Sequence, residues 1–476
     1  MSRDFVALVL AAGQGTRFRS RTAKLLHPLL GRPMIRHMTD TLSVLKPAKL
    51  LVVVGHQRED VVRQVADPAA GFVIQKEQRG SGHAVLAAAP FLRRRPEADI
   101  LVVNGDLPLV TAAMLRRLLQ RHRRGAAALT FLTAELRNPF GFGRVIREGK
   151  TWRIVEEKDA TAAERRVRES NIGAYVFRAR DLLAVLPRLS NKNKKKEYYL
   201  TDTIEELARM GRRVAPCKAE GPEAESIIGV NTRFELAQAA EALRRRKLKE
   251  LAEAGVTFLD PARVWIDWGV RIGRDTTVYP GVTLEGETRI GSACVLHPGV
   301  HIRNVVVGNG VAVLSHSVLS DSRLEDGVRV GPFAHLRMKT VLRAGARAGN
   351  FVEMKNTDFG REAKAMHLTY LGDAEVGEGA NIGAGTITCN YDGERKNRTR
   401  IGAGAFIGSG TELVAPIKVG RGAYVGAGSV ITKDVSPGAL AVSRARQFEK
   451  PGWAARLKDR RKASSPSSTG NKKSGR

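Results

Sequence analysis

The sequence is short of cysteine, aromatics, acidic charge and long apolar runs, and each shortage removes a class of answer. Three cysteines occur in 476 residues, Cys217, Cys294 and Cys389. They are isolated and lack metal-ligand spacing, so neither a disulfide framework nor a zinc centre is expected. Aromatics make up 5%, few for platforms that stack nucleic-acid bases. No apolar run approaches the ~20 residues that cross a bilayer, and the chain starts on a strand pattern instead of a secretory leader. A cytosolic protein is the expectation, with no membrane partner. Acidic residues number 48 against 79 Lys and Arg, a net charge of +31. Such a balance suits nucleic acid, small anions or a merely basic surface. The cations are scattered, in short clusters at 93–95, 194–196 and 244–246, so a basic solvated surface is the default and nucleic acid is not the expected partner. The length allows two or three domains with cores of their own.

What is present starts at Val6-Ala7-Leu8-Val9-Leu10-Ala11-Ala12-Gly13-Gln14-Gly15-Thr16-Arg17-Phe18. An apolar β-prone run that stops at a glycine-rich turn reads as a buried parallel strand. The glycines permit a tight turn and bring backbone N–H groups near an anion. Arg17 and Lys24 add full charges suited to a polyphosphate. No Lys-Ser/Thr pair follows the last glycine, so this is not a Walker A loop. Taken alone, the turn can equally be a plain one. Apolar runs at 50–55 and 100–106, and Met114, Leu115, Leu118 and Leu119 at helical spacing within 111–122, give strand–helix alternation. That pattern predicts a mostly parallel sheet with helices on both faces. Ligands in such sheets collect beyond the carboxyl ends of strands, where Gly13 and Asp106 both fall. Asp106 is open to two readings, a turn former or one carboxylate holding Mg²⁺ beside a triphosphate. At 75–84, Gly80 and Gly82 allow close approach of a flat ligand, and Gln75 offers a donor and an acceptor to a base edge. A polar helix start is the plainer alternative there.

Alanine, leucine, glutamate and arginine dominate 232–255, ending at Gly255, which predicts a long helix linking two domains. The period then changes. Ile272, Val278, Leu284, Ile290, Leu296 and Ile302 recur every six residues, as do Leu324, Val330, Leu336, Leu342, Ala348 and Met354. Val376, Ile382 and Thr388 continue the row, followed by Ile401, Ile407, Leu413, Val419, Val425 and Ile431. Six-residue self-similarity over so long a run marks a parallel β-helix, each hexad turning one residue inward. Two breaks stand out, a polar insertion at 389–400 and an irregular stretch at 367–373. From about Arg456 the tail has few apolar residues and is expected to be disordered.

The string Leu-Ala-Ala-Gly-Gln-Gly-Thr-Arg-Phe with its downstream Lys24 resembles the signature of sugar-phosphate nucleotidyltransferases. Asn-Gly-Asp-Leu-Pro-Leu at 104–109, Gly-Phe-Gly-Arg at 141–144, Val-Glu-Glu-Lys at 155–158, Asn-Ile-Gly at 171–173 and Glu-Tyr-Tyr-Leu-Thr-Asp at 197–202 follow in that family's order. The six-residue repeat resembles that of hexapeptide acyltransferases, and the segments 350–355, 367–373 and 381–393 closely resemble, near-verbatim, segments of the two-domain family named next. Together, from about Val6 to Arg446, the chain resembles the bifunctional N-acetylglucosamine-1-phosphate uridylyltransferase and glucosamine-1-phosphate N-acetyltransferase family.

The resemblance implies an α/β fold: a Rossmann-like nucleotidyltransferase domain at 1–231, a linker helix at 232–255 and a left-handed parallel β-helix at 256–450. The residues at 451–476 would be a basic tail. It also implies a homotrimer and a route to UDP-N-acetylglucosamine for cell-wall and lipopolysaccharide precursors. Carry-over from the family gives Leu10, Ala11, Ala12, Gly13, Gln75, Gly80 and Ser81 to UTP, with Arg17 and Lys24 on its phosphates. Asn104, Gly141, Glu156 and Asn171 fall to the N-acetylglucosamine moiety, Gly105 to substrate binding, and Asp106 with Asn231 to Mg²⁺; Asn231 read alone could be only a helix cap. In the second half His367 is the base, since acetyl transfer to an amine needs a proton acceptor and imidazole suits that task. Arg337, Lys355, Tyr370 and Asn381 take the sugar phosphate. Ala384, Asn390, Tyr391, Ser409, Ala427 and Arg444 fall where acetyl-CoA or the acceptor is contacted, and Lys396 is a candidate for the CoA phosphates. Three positions depart from the family pattern: Asn104 for tyrosine, Ser81 for threonine and Met338 for proline. Two other readings compete, a nucleotidyltransferase whose β-helix is only structural and a basic scaffold for nucleic acid.

Overall fold

The computed structural model describes residues 4–65, 67–136, 138–149, 151–221 and 227–464. The chain divides into two compact units, Met1–Gly327 and Val328–Arg476.

The first unit opens on a sheet of β1 (Phe5–Ala11), β2 (Lys49–Val54), β3 (Gly71–Ile74), β4 (Asp99–Asn104), β5 (Leu129–Glu135), β6 (Gly143–Glu148), β7 (Thr151–Val155), β8 (Glu169–Arg178) and β9 (Val214–Lys218). Its order is β9-β5-β8-β4-β1-β2-β3, with the β6–β7 hairpin attached to β8. β1 lies central and pairs in parallel with β2 and β4. Antiparallel β8 is inserted between β4 and β5. The continuous apolar strands follow from burial on both faces. Ala7, Val9, Val52 and Val103 belong to one core, and Val6, Leu8, Val53 and Val102 to the other. The predicted helix at 111–122 runs Ala112–Gly125, and Thr111 caps it by accepting the Met114 N–H at 3.2 Å.

The linker helix spans Arg233–Glu253 and starts on a capping box between Thr232 and Glu235. Ala239 and Leu243 join the first core. Arg244, almost fully buried, donates to the Val264 carbonyl at 2.9 Å. The first coils of the β-helix follow within the same unit. Arg271–Ile272 pairs with Arg289–Ile290, Thr277–Val278 with Val295–Leu296, and Thr283–Glu285 with His301–Arg303, three parallel ladders that make three sides.

The second unit continues the same architecture. Val341–Leu342 pairs with Asp358–Phe359, and the long strand Arg347–Lys355 takes both Arg329–Val330 and His335–Arg337 as neighbours. All the inward residues predicted from the hexad count are buried. The irregular stretch at 367–373 belongs to a continuous strand, Lys364–Gly372, paired along its length with Arg347–Lys355. The tail departs from expectation: Trp453–Ala463 is a helix in which no residue is buried. Alanine, leucine, lysine and arginine are strong helix formers even without a core to pack on. Residues 465–476 of the expected disordered tail lie outside the described residues.

Candidate active sites

In the first unit, β1 and β4 end side by side, with the Gly105 N–H donating to the Leu10 carbonyl at 3.0 Å. Beyond those ends lies a cavity of about 270 Å³. Eight predicted residues line it: Arg17, Ser81, Asn104, Asp106, Gly141, Glu156, Asn171 and Asn231. Lys24 reaches the same place from its 3-10 turn. Its Nζ lies 2.6 Å from Asp106 Oδ2 and 3.3 Å from Asn231 Oδ1, and Arg17 donates to that same Asn231 oxygen at 2.8 Å. Two oxygens from distant parts of the chain thus converge on one cationic point. That donor set fits a hard cation such as Mg²⁺, which takes one or two protein oxygens and completes its shell with water and phosphate.

The glycine-rich turn is built differently from its simplest reading. Gly15, not Gly13, is the constrained glycine: its φ is +62° and a Cβ there would come within 2.8 Å of the Lys24 Cβ. Leu10, Ala11, Ala12, Gly13, Gln75, Gly80 and Gly105 sit outside the cavity lining. Gln75 is buried, with its amide nitrogen 3.1 Å from both the Gly80 carbonyl and His83 Nδ1. Gly80 has φ +105°, and a Cβ would fall 2.6 Å from the Tyr198 carbonyl. Ser81 keeps the hydroxyl of the threonine it replaces, and its Oγ accepts the Leu200 N–H at 2.9 Å. Asn104 lies against Gly173, where a Cβ would meet its Nδ2 at 2.4 Å.

The far wall is polar. Burial pushes the Glu156 carboxyl above its ordinary value, opposed by a hydrogen bond from Thr201 Oγ1 at 3.1 Å. Asn171 donates to the Tyr175 hydroxyl at 2.6 Å, and burial raises that phenol. Asp202 is raised to about 6, first by burial and then by the neighbouring carboxylates, Glu156 foremost. Thr201, Tyr175 and Lys195 line the cavity without having been singled out in sequence. For Thr201 the signal was the segment at 197–202; for Tyr175 there was none.

In the second unit the predicted residues fall on two corners of the coil. At one, His367 Nδ1 is 2.7 Å from Asn350 Oδ1. An amide oxygen only accepts, so Nδ1–H is the donor, and Nε2 is the ring nitrogen outside this bond. Ala384, Ser409, Ala427 and Arg444 continue this corner from coil to coil. The Gly410 N–H donates to the Ala384 carbonyl, the Gly428 N–H to Ser409, and Arg444 to Ala427 at 2.7 Å. Asn381 precedes the corner on the strand Asn381–Ile382.

At the other corner Arg337 donates to Glu353 at 3.0 Å, and Lys355 lies 3.7 Å from Asp373. Asn390 donates to Asp373 at 2.5 Å. Lys396 belongs here too, since its proximity is the first cause that lowers the Lys355 ammonium below its ordinary value, with burial adding to it. It also stands over the Tyr391 ring. The insertion that carries Lys396 therefore folds back on the Arg337–Lys355 corner, away from the Ala384–Arg444 column. Met338 has φ +54°, a value closed to proline. Tyr370 follows His367 on the same strand.

The MobA-like NTP transferase domain family matches residues 7–206, and the bacterial transferase hexapeptide (six repeats) family matches residues 398–433. Relatives named bifunctional protein GlmU match nearly end to end. That of Pelotomaculum thermopropionicum is 48% identical over 96% of this chain and 100% of its own. That of Geobacillus sp. (strain WCH70) is 45% identical over 95% of this chain and 98% of its own. That of Thermotoga petrophila is 46% identical over 94% and 98%.

Proposed function

The chain belongs to the bifunctional GlmU family, and we propose from that premise how its two halves divide the chemistry. It is a bifunctional enzyme, a nucleotidyltransferase followed by a left-handed hexapeptide β-helix acetyltransferase. The β-helix half acetylates glucosamine-1-phosphate with acetyl-CoA. The first half transfers UMP from UTP to the resulting N-acetylglucosamine-1-phosphate, giving UDP-N-acetylglucosamine and pyrophosphate.

The observation that carries the first assignment is the convergence of Asp106, Asn231, Lys24 and Arg17 at one end of a cavity whose other end holds Glu156, Thr201 and Asn171. Asp106 and Asn231 would hold Mg²⁺, which when bound supplies charge neutralisation for the triphosphate. Arg17 and Lys24 take the phosphate oxygens and orient the α-phosphorus for in-line attack by the sugar phosphate oxygen. Pyrophosphate leaves on the opposite side. Positioning and charge do most of the work in such transfers. Glu156, bonded by Thr201, accepts from sugar hydroxyls, and Asn171, fixed by Tyr175, binds beside it.

In the second half His367 Nε2 takes the proton as the substrate amine attacks the thioester carbon, the C–S bond breaks, and the CoA thiolate leaves. Asn350 holds the tautomer that makes this possible. Arg337, Lys355 and Lys396 bind the phosphate. These two corners are separated by four to five residues of strand, on the order of 15 Å at ~3.3 Å per residue. A hexosamine-1-phosphate carries amine and phosphate on adjacent ring carbons, too close to reach both corners of one chain. A second chain therefore completes each site, which supports the homotrimer.

The test is one incubation with acetyl-CoA, glucosamine-1-phosphate, UTP and Mg²⁺. UDP-N-acetylglucosamine is the expected product. A protein that uses only ready-made N-acetylglucosamine-1-phosphate would reduce the β-helix to a scaffold.

A further inference from the structure

One edge of the first unit's cavity is a turn held at every residue. Over residues 139–142 the Phe142 N–H donates to the Pro139 carbonyl at 3.1 Å, and Gly141, third in the turn, has φ +86°. A positive φ at that position marks a type II turn and calls for glycine. Side chains fix the turn from outside. The Phe140 N–H donates to Asn138 Oδ1 at 3.2 Å, and the Gly141 N–H to Glu157 Oε2 at 3.1 Å. Arg144, 2% exposed, donates to the Phe142 carbonyl and, at 2.7 Å, to the same Glu157 oxygen. A buried guanidinium paired in this way is costly to disturb, so the turn is stiff.

What this turn presents to the cavity is the Phe140 ring, 69% exposed. Isolated apolar side chains are ordinary on a surface, but this one lines a cavity at the tip of a fixed turn. The tyrosines there, Tyr175 and Tyr199, are packed into the wall, 3% and 7% exposed, and Phe142 packs against the core. Glu156, Thr201 and Asn171 offer the cavity hydrogen bonds, which suit hydroxyls and an amide. A pyranose also has faces of C–H bonds, for which those groups do nothing. An exposed aromatic ring is the partner such a face lacks. We propose that Phe140 is a specificity-determining residue for nucleotidyl transfer, an apolar cover for the pyranose ring of N-acetylglucosamine-1-phosphate that the Arg144–Glu157 pair sets in place. This rests on the nucleotidyl-transfer reading above and adds the surface that grips the sugar. Arg144 and Glu157 act through the turn and are positioning residues.

The test is steady-state kinetics of the full chain carrying Phe140→Ala. The ring is exposed and takes no part in the turn's hydrogen bonds, so its removal leaves the fold intact. KM for N-acetylglucosamine-1-phosphate is expected to rise about fivefold, while KM for UTP and kcat stay within about twofold of wild type. Phe140→Tyr, which keeps a ring, should restore the wild-type KM. Glu157→Gln loosens the turn without emptying its place, and is expected to raise the same KM by a smaller factor. Combined with Phe140→Ala it should add nothing, because the pair acts only through the ring. A wild-type KM in Phe140→Ala overturns the cover. An equal rise in KM for UTP overturns it too, in favour of a lid over the whole cavity. A Glu157→Gln effect that survives undiminished in the double variant overturns the positioning role of the pair. A wild-type chain that forms no UDP-N-acetylglucosamine overturns the nucleotidyl-transfer reading itself, a failure seen before any variant is compared.

Discussion

The two candidate sites use the chain in opposite ways. In the first unit, residues as far apart in sequence as Arg17 and Asn231 come within 2.8 Å, because parallel strands bring successive connections to one edge of a sheet. In the second, residues close in sequence are held apart, because a solenoid places each position directly above its counterpart one coil away. His367 stands opposite Asn350, and Lys355 opposite Gly372, so equivalent positions form columns and different positions stay on different corners. A sheet of this kind closes a site within one chain. A β-helix offers rows, and on the function proposed above a compact substrate draws on rows from two copies.

The sharpest way to break the comparison is to silence each site alone. Asp106→Ala is expected to cut uridylyl transfer by orders of magnitude and leave acetyl transfer near normal. His367→Ala is expected to do the reverse, a loss of about 10²–10⁴-fold for a general base. Separate assays of the two half-reactions check both, and loss of both activities in either folded variant would refute the division.

The contrast also predicts complementation in one half only. His367→Ala and Lys355→Ala chains are each expected to be inactive in acetyl transfer, yet co-assembled in equal amounts they should regain roughly a quarter of wild-type activity. That is the share of interfaces that pair an intact His367 with an intact Lys355. Asp106→Ala with Lys24→Ala, both in the self-contained site, should regain nothing. Recovery in neither pair would mean that the β-helix site is also closed within one chain.

A smaller effect concerns the cation point. With Lys24 Nζ 2.6 Å from Asp106 and 3.3 Å from Asn231, a divalent ion approaching those oxygens meets an ammonium already there. Lys24→Met is therefore expected to tighten Mn²⁺ binding to the nucleotide-free enzyme about tenfold, as direct repulsion between close like charges is removed. Electron paramagnetic resonance titration of free Mn²⁺ reads this without turnover. Unchanged or weaker binding would show that the lysine does not occupy the ion's place.

How much of this was legible depends on whether a signal was local. The β1 run and the hexads were, because each element announces itself through its own period. The hexad count nevertheless fell silent between Ile302 and Leu324, although Val307, Val313 and Leu319 continue the inward row, all buried. Asn304 turns its corner in left-handed backbone, one residue is saved there, and strict counting by six loses the row. Tyr175 was invisible because it reaches the cavity only through the antiparallel insertion of β8, which no strand-by-strand reading predicts. The place of Lys396 beside Lys355 was not legible, because an insertion has no period from which to tell where it folds back. The tail helix was missed because composition speaks to burial, and Trp453–Ala463 forms without any.

The smallest predicted effect concerns the residue that follows Thr201 of the cavity lining. Asp202 precedes the helix Thr203–Arg209, where a carboxylate ordinarily gains from the helix dipole. Here its side chain makes no capping hydrogen bond, and Glu205 and Glu206 crowd the same turn. Burial dominates, Glu156 adds repulsion, and the carboxyl moves from 3.8 to about 6. The folded state therefore holds a proton that the unfolded chain gives up earlier. Stability from this group is highest below pH ~4, falls as pH rises through 6, and stays low above it. Asp202→Asn should then be close to neutral at pH 4 and stabilising at pH 8 by about 1 kcal/mol, once solvent screening at this partly exposed group is allowed for. Urea unfolding at the two pH values measures the difference. A gain that is the same at both would mean that the carboxylate's ionisation costs nothing in its place beside Glu156.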